Sequence, residues 1–240
     1  MICKNCSTDV TLNYCPSCGA AVQLKRIDSH YIQHEIEHIF HFERGILYTI
    51  KELLLRPGLR INEFLKDNRN RLVKPIIFII VTSALYSFFF NYFQFEQLHQ
   101  QYSDNVIKSS SITTIFKWIE THYGYANIIS GIFMSFLIKL FFRKHGYNFY
   151  EILIMYCFVS GIGMLILAVF LLFEGLTGLD SFGFDSAIIF IYTIWAIGQF
   201  FDKTKISSYI KAFFAYTLGF ILMSISILVF GLLFDKLINL

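Results

Sequence analysis

Four cysteines open the chain in two Cys-x-x-Cys hooks, Cys3-Lys4-Asn5-Cys6 and Cys15-Pro16-Ser17-Cys18. A hook of this spacing can present two thiolates to one metal ion, while the turn backbone donates amide N–H groups to the sulfurs. Two hooks make a tetrahedral set of four thiolates. That set suits zinc in a closed structural site with no open coordination position. Pro16 and Gly19 fit a tight knuckle. Iron in a rubredoxin-like site is the competing assignment, and a pair of disulfides is the alternative for an oxidising compartment. A segment of about twenty residues cannot fold on apolar burial alone, so the metal is expected to supply most of its folding energy. The product is a stapled surface for contacting something, rather than a reaction centre. The fifth cysteine, Cys157, sits in an apolar run and reads as small core filler.

A second constellation is His34-Glu35-Ile36-Glu37-His38. It matches H-E-x-x-H, in which two histidines one helical turn apart hold zinc and the glutamate acts as general base. It also matches the inverted H-x-x-E-H order. His34 and His38, with His41, are therefore a candidate second metal site, and Glu35 is the candidate base of a membrane-anchored metallopeptidase. Glu63, in a downstream helix, would be the further ligand. Three observations count against this. His30, His34, His38 and His41 are four of only seven histidines, crowded into one polar stretch where a chance match is easy. The segment is too short to build a peptidase cleft. No Gly-x-x-His extension follows. The plainer reading is a solvated or headgroup-facing stripe, or a partner surface.

The elements that must position these groups are helices. Asp28 or Ser29 can cap a helix running to about residue 44, with Ile32, Ile36, Ile39 and Phe40 on one side. A second helix over 45–55 carries Ile46, Leu47, Ile50, Leu53 and Leu54. Arg56-Pro57-Gly58 is expected to stop it, with Gly58 taking the turn. A third helix over 60–71 is amphipathic and basic, with Ile61, Phe64 and Leu65 on one face. Such helices tend to lie in the membrane interface with the apolar face down. Packing on the cysteine head is the alternative.

Beyond residue 72 the chain turns apolar. Five runs are long enough, or nearly so, to cross a hydrocarbon core that needs about 20 residues of helix: 75–93, 125–142, 152–173, the shorter 186–201, and 212–234. They are apolar all round, unlike a soluble helix, and show none of the alternation of a barrel strand. Residues 112–121 read as a short interfacial helix. The fold class expected is an all-α membrane protein with about five transmembrane helices, preceded by a small zinc ribbon and amphipathic juxtamembrane helices. The segments divide as ribbon 1–24, cytosolic juxtamembrane helices 25–72 and transmembrane bundle 73–240.

Lys66, Arg69, Arg71 and Lys74 precede the first run. Arg143 with Lys144, and Lys203 with Lys205, fill the later loops on the same side. The opposite loops hold Lys108 and Lys117 in one and no basic residue over 174–186 in the other. The asymmetry places the N-terminus in the cytoplasm and the C-terminus outside; a re-entrant fourth run would return the tail inside. The first 25 residues hold no apolar segment that reads as a cleavable signal. The formal net charge of +3 is modest and sits on the inner side, which suits anionic lipid heads and argues against nucleic-acid binding. Charged residues are nearly absent from mid-span, which lowers a coupled transport path.

The run His41-Phe42-Glu43-Arg44-Gly45, Thr49, and Lys51-Glu52-Leu53-Leu54-Leu55-Arg56-Pro57-Gly58 resembles the signature of an uncharacterised bacterial family of zinc-ribbon polytopic membrane proteins, domain-of-unknown-function family 3667. The resemblance covers roughly residues 1–90 well and the remainder as architecture. It implies a zinc site and the topology above, and no reaction. On that pattern Glu35, His38 and His41 match better than His34, which weakens the peptidase reading further.

The function expected is that of a non-enzymatic protein of the bacterial inner membrane, whose cytosolic zinc ribbon recruits or senses a protein partner beside the lipid bilayer. Homo-oligomerisation would belong to a second reading, an oligomeric channel or lipid and solute permeation protein. The metallopeptidase is the third.

Overall fold

The computed structural model describes residues 2–11, 13–21, 45–93, 111–179, 181 and 183–238 of the 240-residue chain. The expected helix over 28–44, with its histidines and Glu35, lies outside these residues. Among the described residues the chain is all-α: α1 Ile46–Leu55, α2 Pro57–Lys66, α3 Pro75–Tyr92, α4 Ser111–Thr121, α5 Tyr123–Phe141, α6 Phe149–Thr177, α7 Phe184–Asp202 and α8 Ile206–Ile238. Among the described residues, extended pairing is confined to two isolated bridges in the cysteine head, Ile2 with Asp9 and Tyr14 with Ala21.

Helices α3, α5, α6, α7 and α8 are long and apolar enough to cross a membrane, since a lipid-embedded backbone must satisfy its own hydrogen bonds. They coincide with the five expected runs, and the fourth is a full 19-residue helix rather than a short one. Local chemistry starts two of them. Pro75 occupies the first turn of α3, where a missing N–H costs nothing. Asn148 and Glu151 form a reciprocal cap at the start of α6: Asn148 Oδ1 accepts the Glu151 N–H at 2.8 Å, and Glu151 Oε2 accepts the Asn148 N–H at 2.7 Å.

Helix α6 is the axis of the bundle. Its 29 residues make about 44 Å at about 1.5 Å each, well beyond the 30 Å or so of a hydrocarbon core. Helix α3 runs beside its later turns: Phe78, in the first turn of α3, meets Phe158 at 6.1 Å between ring centroids and packs onto Gly161. The stretch of α6 before Phe158 is thus left without α3. Helices α1 and α2 fill that place. Phe64 of α2 meets the other side of Phe158 edge-on at 5.1 Å, and Leu53, Ile61, Phe64, Phe78 and Phe158 belong to one buried core.

This corrects two expectations. The third juxtamembrane helix does not span 60–71: it runs Pro57–Lys66, one residue after α1 ends. Proline ends a helix for the chain before it, but at a first-turn position it begins the next. The hairpin, expected on the membrane interface or on the cysteine head, is seated on the bundle itself and touches the head through the turn just past α2. Its inner face packs on α6 and α7, while Leu47, Leu54, Leu55 and Leu59 stay exposed on the outside. Helix α4, expected as interfacial, packs along the far half of α8: Ile112 approaches Gly231 and the Ser111 N–H donates to Asp235 Oδ1 at 2.8 Å.

Candidate metal centre

Two copies of one knuckle, twelve residues apart, build the head. In the first, the Cys3 N–H donates to the Thr8 carbonyl at 2.8 Å and the Ser7 N–H to the Cys3 carbonyl at 2.9 Å. In the second, the Cys15 N–H donates to the Ala20 carbonyl at 2.8 Å and the Gly19 N–H to the Cys15 carbonyl at 2.8 Å. The residue after the second cysteine of each hook turns left-handed, Ser7 at φ 60° and Gly19 at φ 71°. Glycine adopts that region freely; serine enters it at a cost. Ile2 and Tyr14, the matching residues before each hook, are left 72% and 65% exposed.

The repeat brings all four hook sulfurs, of Cys3, Cys6, Cys15 and Cys18, within 4.8 Å of one another. Cys3 Sγ lies 3.6 Å from Cys18 Sγ, and Cys6 Sγ 3.5 Å from Cys15 Sγ. All four are free thiols, since a disulfide bond is about 2.05 Å. Four sulfurs placed tetrahedrally at the usual zinc–sulfur distance of about 2.3 Å lie about 3.8 Å apart. The closest pairs here are near that edge, so the residues fit a four-thiolate metal site, and the disulfide alternative does not match the geometry. The Asn5 N–H points at Cys3 Sγ at 3.4 Å, as the knuckle backbone is expected to do.

The thiols differ in readiness. The Thr8 hydroxyl and backbone N–H lower the Cys6 thiol to about 6. The Ala20 backbone N–H, then the Asn5 side chain, lower Cys18. Burial pushes Cys15, 2% exposed, up to about 11. The lowered Cys6 thiol can meet a cation as thiolate, and the cation's charge then favours loss of the Cys15 proton. Cys157 lies apart, buried within α6. Glu63 is engaged elsewhere: its Oε2 accepts from Arg60 at 2.7 Å and faces Arg71 at 3.8 Å. Candidate ligands His34, His38 and His41, and Glu35, fall outside the described residues.

The head sits on the hairpin. Lys4, between the first two cysteines, pairs with Asp67 just past α2, and Asn68 Nδ2 donates to Asn5 Oδ1 at 2.6 Å. The head is therefore held by the turn that ends α2.

Residues 43–87 match a family described as Protein of unknown function (DUF3667). That stretch carries the family resemblance read above; it holds α1, α2 and most of α3, a minor part of the chain. Neither a curated protein nor a solved structure matches the chain.

The DUF3667 stretch is where the hairpin meets the bundle, and several of its residues have a task. Thr49, fully buried, accepts the Val73 N–H on its Oγ1 at 3.0 Å, tying α1 to the entry of α3. Glu52 accepts from Arg60 Nε at 2.5 Å across the hairpin, and the Glu63 and Glu52 hydrogen bonds raise the pKa of Arg60 above its ordinary value. Leu53, near the open end of α1, offers its carbonyl to the hydroxyl of Tyr192 at 3.1 Å. Gly58 lies within α2 rather than in a turn, and it has to be small, because a Cβ there would stand 2.3 Å from the carbonyl carbon of Gln199. One turn on, Asn62 Nδ2 donates to the carbonyls of Gly58 at 2.9 Å and Phe200 at 2.8 Å. The hydroxyl of Tyr147 bonds Asn62 Oδ1 and accepts from Lys66 Nζ at 2.8 Å. The roles of Asn62, Tyr147 and Tyr192 were not legible in the sequence. Tyr192 is one polar residue in an apolar run, and only its phase on α7 toward Leu53 makes it specific.

Proposed function

We propose that this is a multi-pass protein of the bacterial inner membrane that holds one zinc ion in a cytosolic head and uses that head to recruit or sense a protein partner. The observation that carries this reading is the mechanical continuity from the four-cysteine cluster to the bundle. The cluster's own loop residues Lys4 and Asn5 rest on Asp67 and Asn68, and the helix ending there is keyed into α7 by Gly58 and Asn62.

Three further features support it. The closed sulfur set leaves no coordination position for a substrate. Ile2 and Tyr14 present exposed apolar groups on a head too small to hide them, the kind of surface that contacts another protein. Arg143 and Lys144 follow α5 and Lys203 and Lys205 follow α7, at the end of the bundle that Lys66 reaches through Tyr147; an excess of basic residues there favours that end as the cytoplasmic one.

The deciding experiment is metal content of the detergent-purified protein beside Cys15→Ser. One zinc per chain, lost in the variant, is the expected result. Iron in its place would move the assignment to a rubredoxin-like centre. Two zinc ions, one surviving the substitution, would transfer the interest to His34, His38 and His41 and call for a protease assay with Glu35→Gln.

A further inference from the structure

Away from the head, the bundle holds a cavity of about 460 Å³ between α4, α5, α6 and α8. Its origin is local. Helix α4 is pinned to α8 at its first residue through Asp235 and Gly231, and at its last turn the chain breaks at His122 before α5 begins. Held at both ends, α4 bridges a gap that small side chains, Ala126, Ser130 and Ser226, do not fill.

The lining is hydrocarbon in character, with Ile119, Phe133, Met223 and Ile227 among its walls. The polar side chains on it are already engaged inside the protein. The Ser226 hydroxyl donates to the Leu222 carbonyl at 2.8 Å and that of Ser130 to the Asn127 carbonyl at 2.9 Å. Asn127 pairs with Ser83 and Ser160, each at 3.4 Å. The hydroxyl protons of both serines are thus spent inside the protein. At the rim, Trp118, Ile129 and Phe230 are 42%, 47% and 68% exposed, so the cavity opens on the outer surface of the bundle. That surface is bounded by α5 and α8, two of the helices apolar and long enough to cross a membrane.

We infer that this cavity is a lipid site that takes one acyl chain of a phospholipid from the surrounding leaflet. The volume lies within the range of small-molecule pockets, about 300–1,000 Å³, and α4 covers it, so a partner helix about 10 Å across does not fit. A lining this apolar favours a hydrocarbon chain over an ion or a sugar. The neighbouring solvent is hydrocarbon, which supplies the occupant directly. The assignment is independent of the metal head and of the partner proposed for it.

The test is native mass spectrometry of the full-length protein in mild detergent, delipidated and then offered palmitoyl-oleoyl phosphatidylglycerol and phosphatidylethanolamine. One phospholipid per chain should persist through detergent exchange in the wild type. It should fall at least tenfold in Ser226→Phe, which fills the cavity, and remain in Ile225→Phe, which faces outward on the same helix. A second measurement needs no variant: a phospholipid with a photoreactive acyl chain, in vesicles, should label peptides containing Ile119, Phe133 and Ile227 above those of the exposed faces of α3 and α7. Lipid retained equally in Ser226→Phe, none retained by the wild type, labelling spread evenly over all exposed faces, or a retained mass of a free fatty acid or an isoprenoid alcohol would each overturn the assignment.

Discussion

The hydroxyl of Tyr192, inside α7, donates to the carbonyl oxygen of Leu53, 139 residues earlier, at 3.1 Å. The last carbonyls of a helix have no partner within it, and Leu53 is buried. The tyrosine therefore supplies from a membrane span what α1 lacks at its own end. Tyr192→Phe keeps the ring and removes the donor. Leaving that carbonyl unsatisfied should cost about 1–3 kcal/mol, read as earlier thermal unfolding in detergent and faster amide exchange confined to α1. A variant melting with the wild type would mean that the contact contributes nothing to the seat.

Gly58 makes the sharper steric prediction. A methyl group there would meet the backbone of Gln199 at 2.3–2.4 Å, and backbone cannot rotate away as a side-chain tip can. Gly58→Ala should cost about 1–3 kcal/mol or more through overpacking. Limited proteolysis should then cut the hairpin while the five spans stay protected. Substitution of exposed Leu59 by alanine is the control and should leave the cleavage pattern unchanged.

The two knuckles place different residues at the same left-handed position, and that difference is testable. Gly19 and Ser7 are both left-handed, yet nothing lies within 4 Å of a Cβ on Gly19. Gly19→Ala should therefore carry only the backbone penalty of about 1–2 kcal/mol, seen as roughly 5- to 30-fold weaker zinc binding in a chelator competition. Ser7→Gly should move affinity the other way, by less, because glycine also loses more chain freedom on folding. Equal affinities across the three proteins would show that the left-handed turns are not coupled to the metal.

The pair of Lys4 and Asp67 is exposed, with side chains 64% and 36% accessible, so its worth should stay below about 1 kcal/mol. Its role is to place the head. Lys4→Glu should leave zinc content at one per chain and speed amide exchange in the turn at Asp67 and Asn68 by up to about fivefold. Asp67→Lys added to it should restore protection. Loss of zinc in the single variant would refute a purely positional role.

Much of the molecule was readable before any coordinates. Five helices emerge from run length alone, because a hydrocarbon core imposes one length on any chain that crosses it, and the observed spans fall on the expected ones. The sulfur cluster was equally legible, since hook spacing is a local property and the repeat needs only twelve residues of chain. What the sequence left open was decided by packing between distant residues. Pro57 reads as a stop from one side and as a start from the other; only the seat of α2 against Gln199 shows that Gly58 is helical and required to be small. The amphipathic hairpin has an apolar face in either setting, on lipid or on protein, and its periodicity carries no record of which. Phe64 against Phe158 and Leu53 against Tyr192 settle it, because those partners lie roughly a hundred residues away, beyond the reach of any pattern within a single helix.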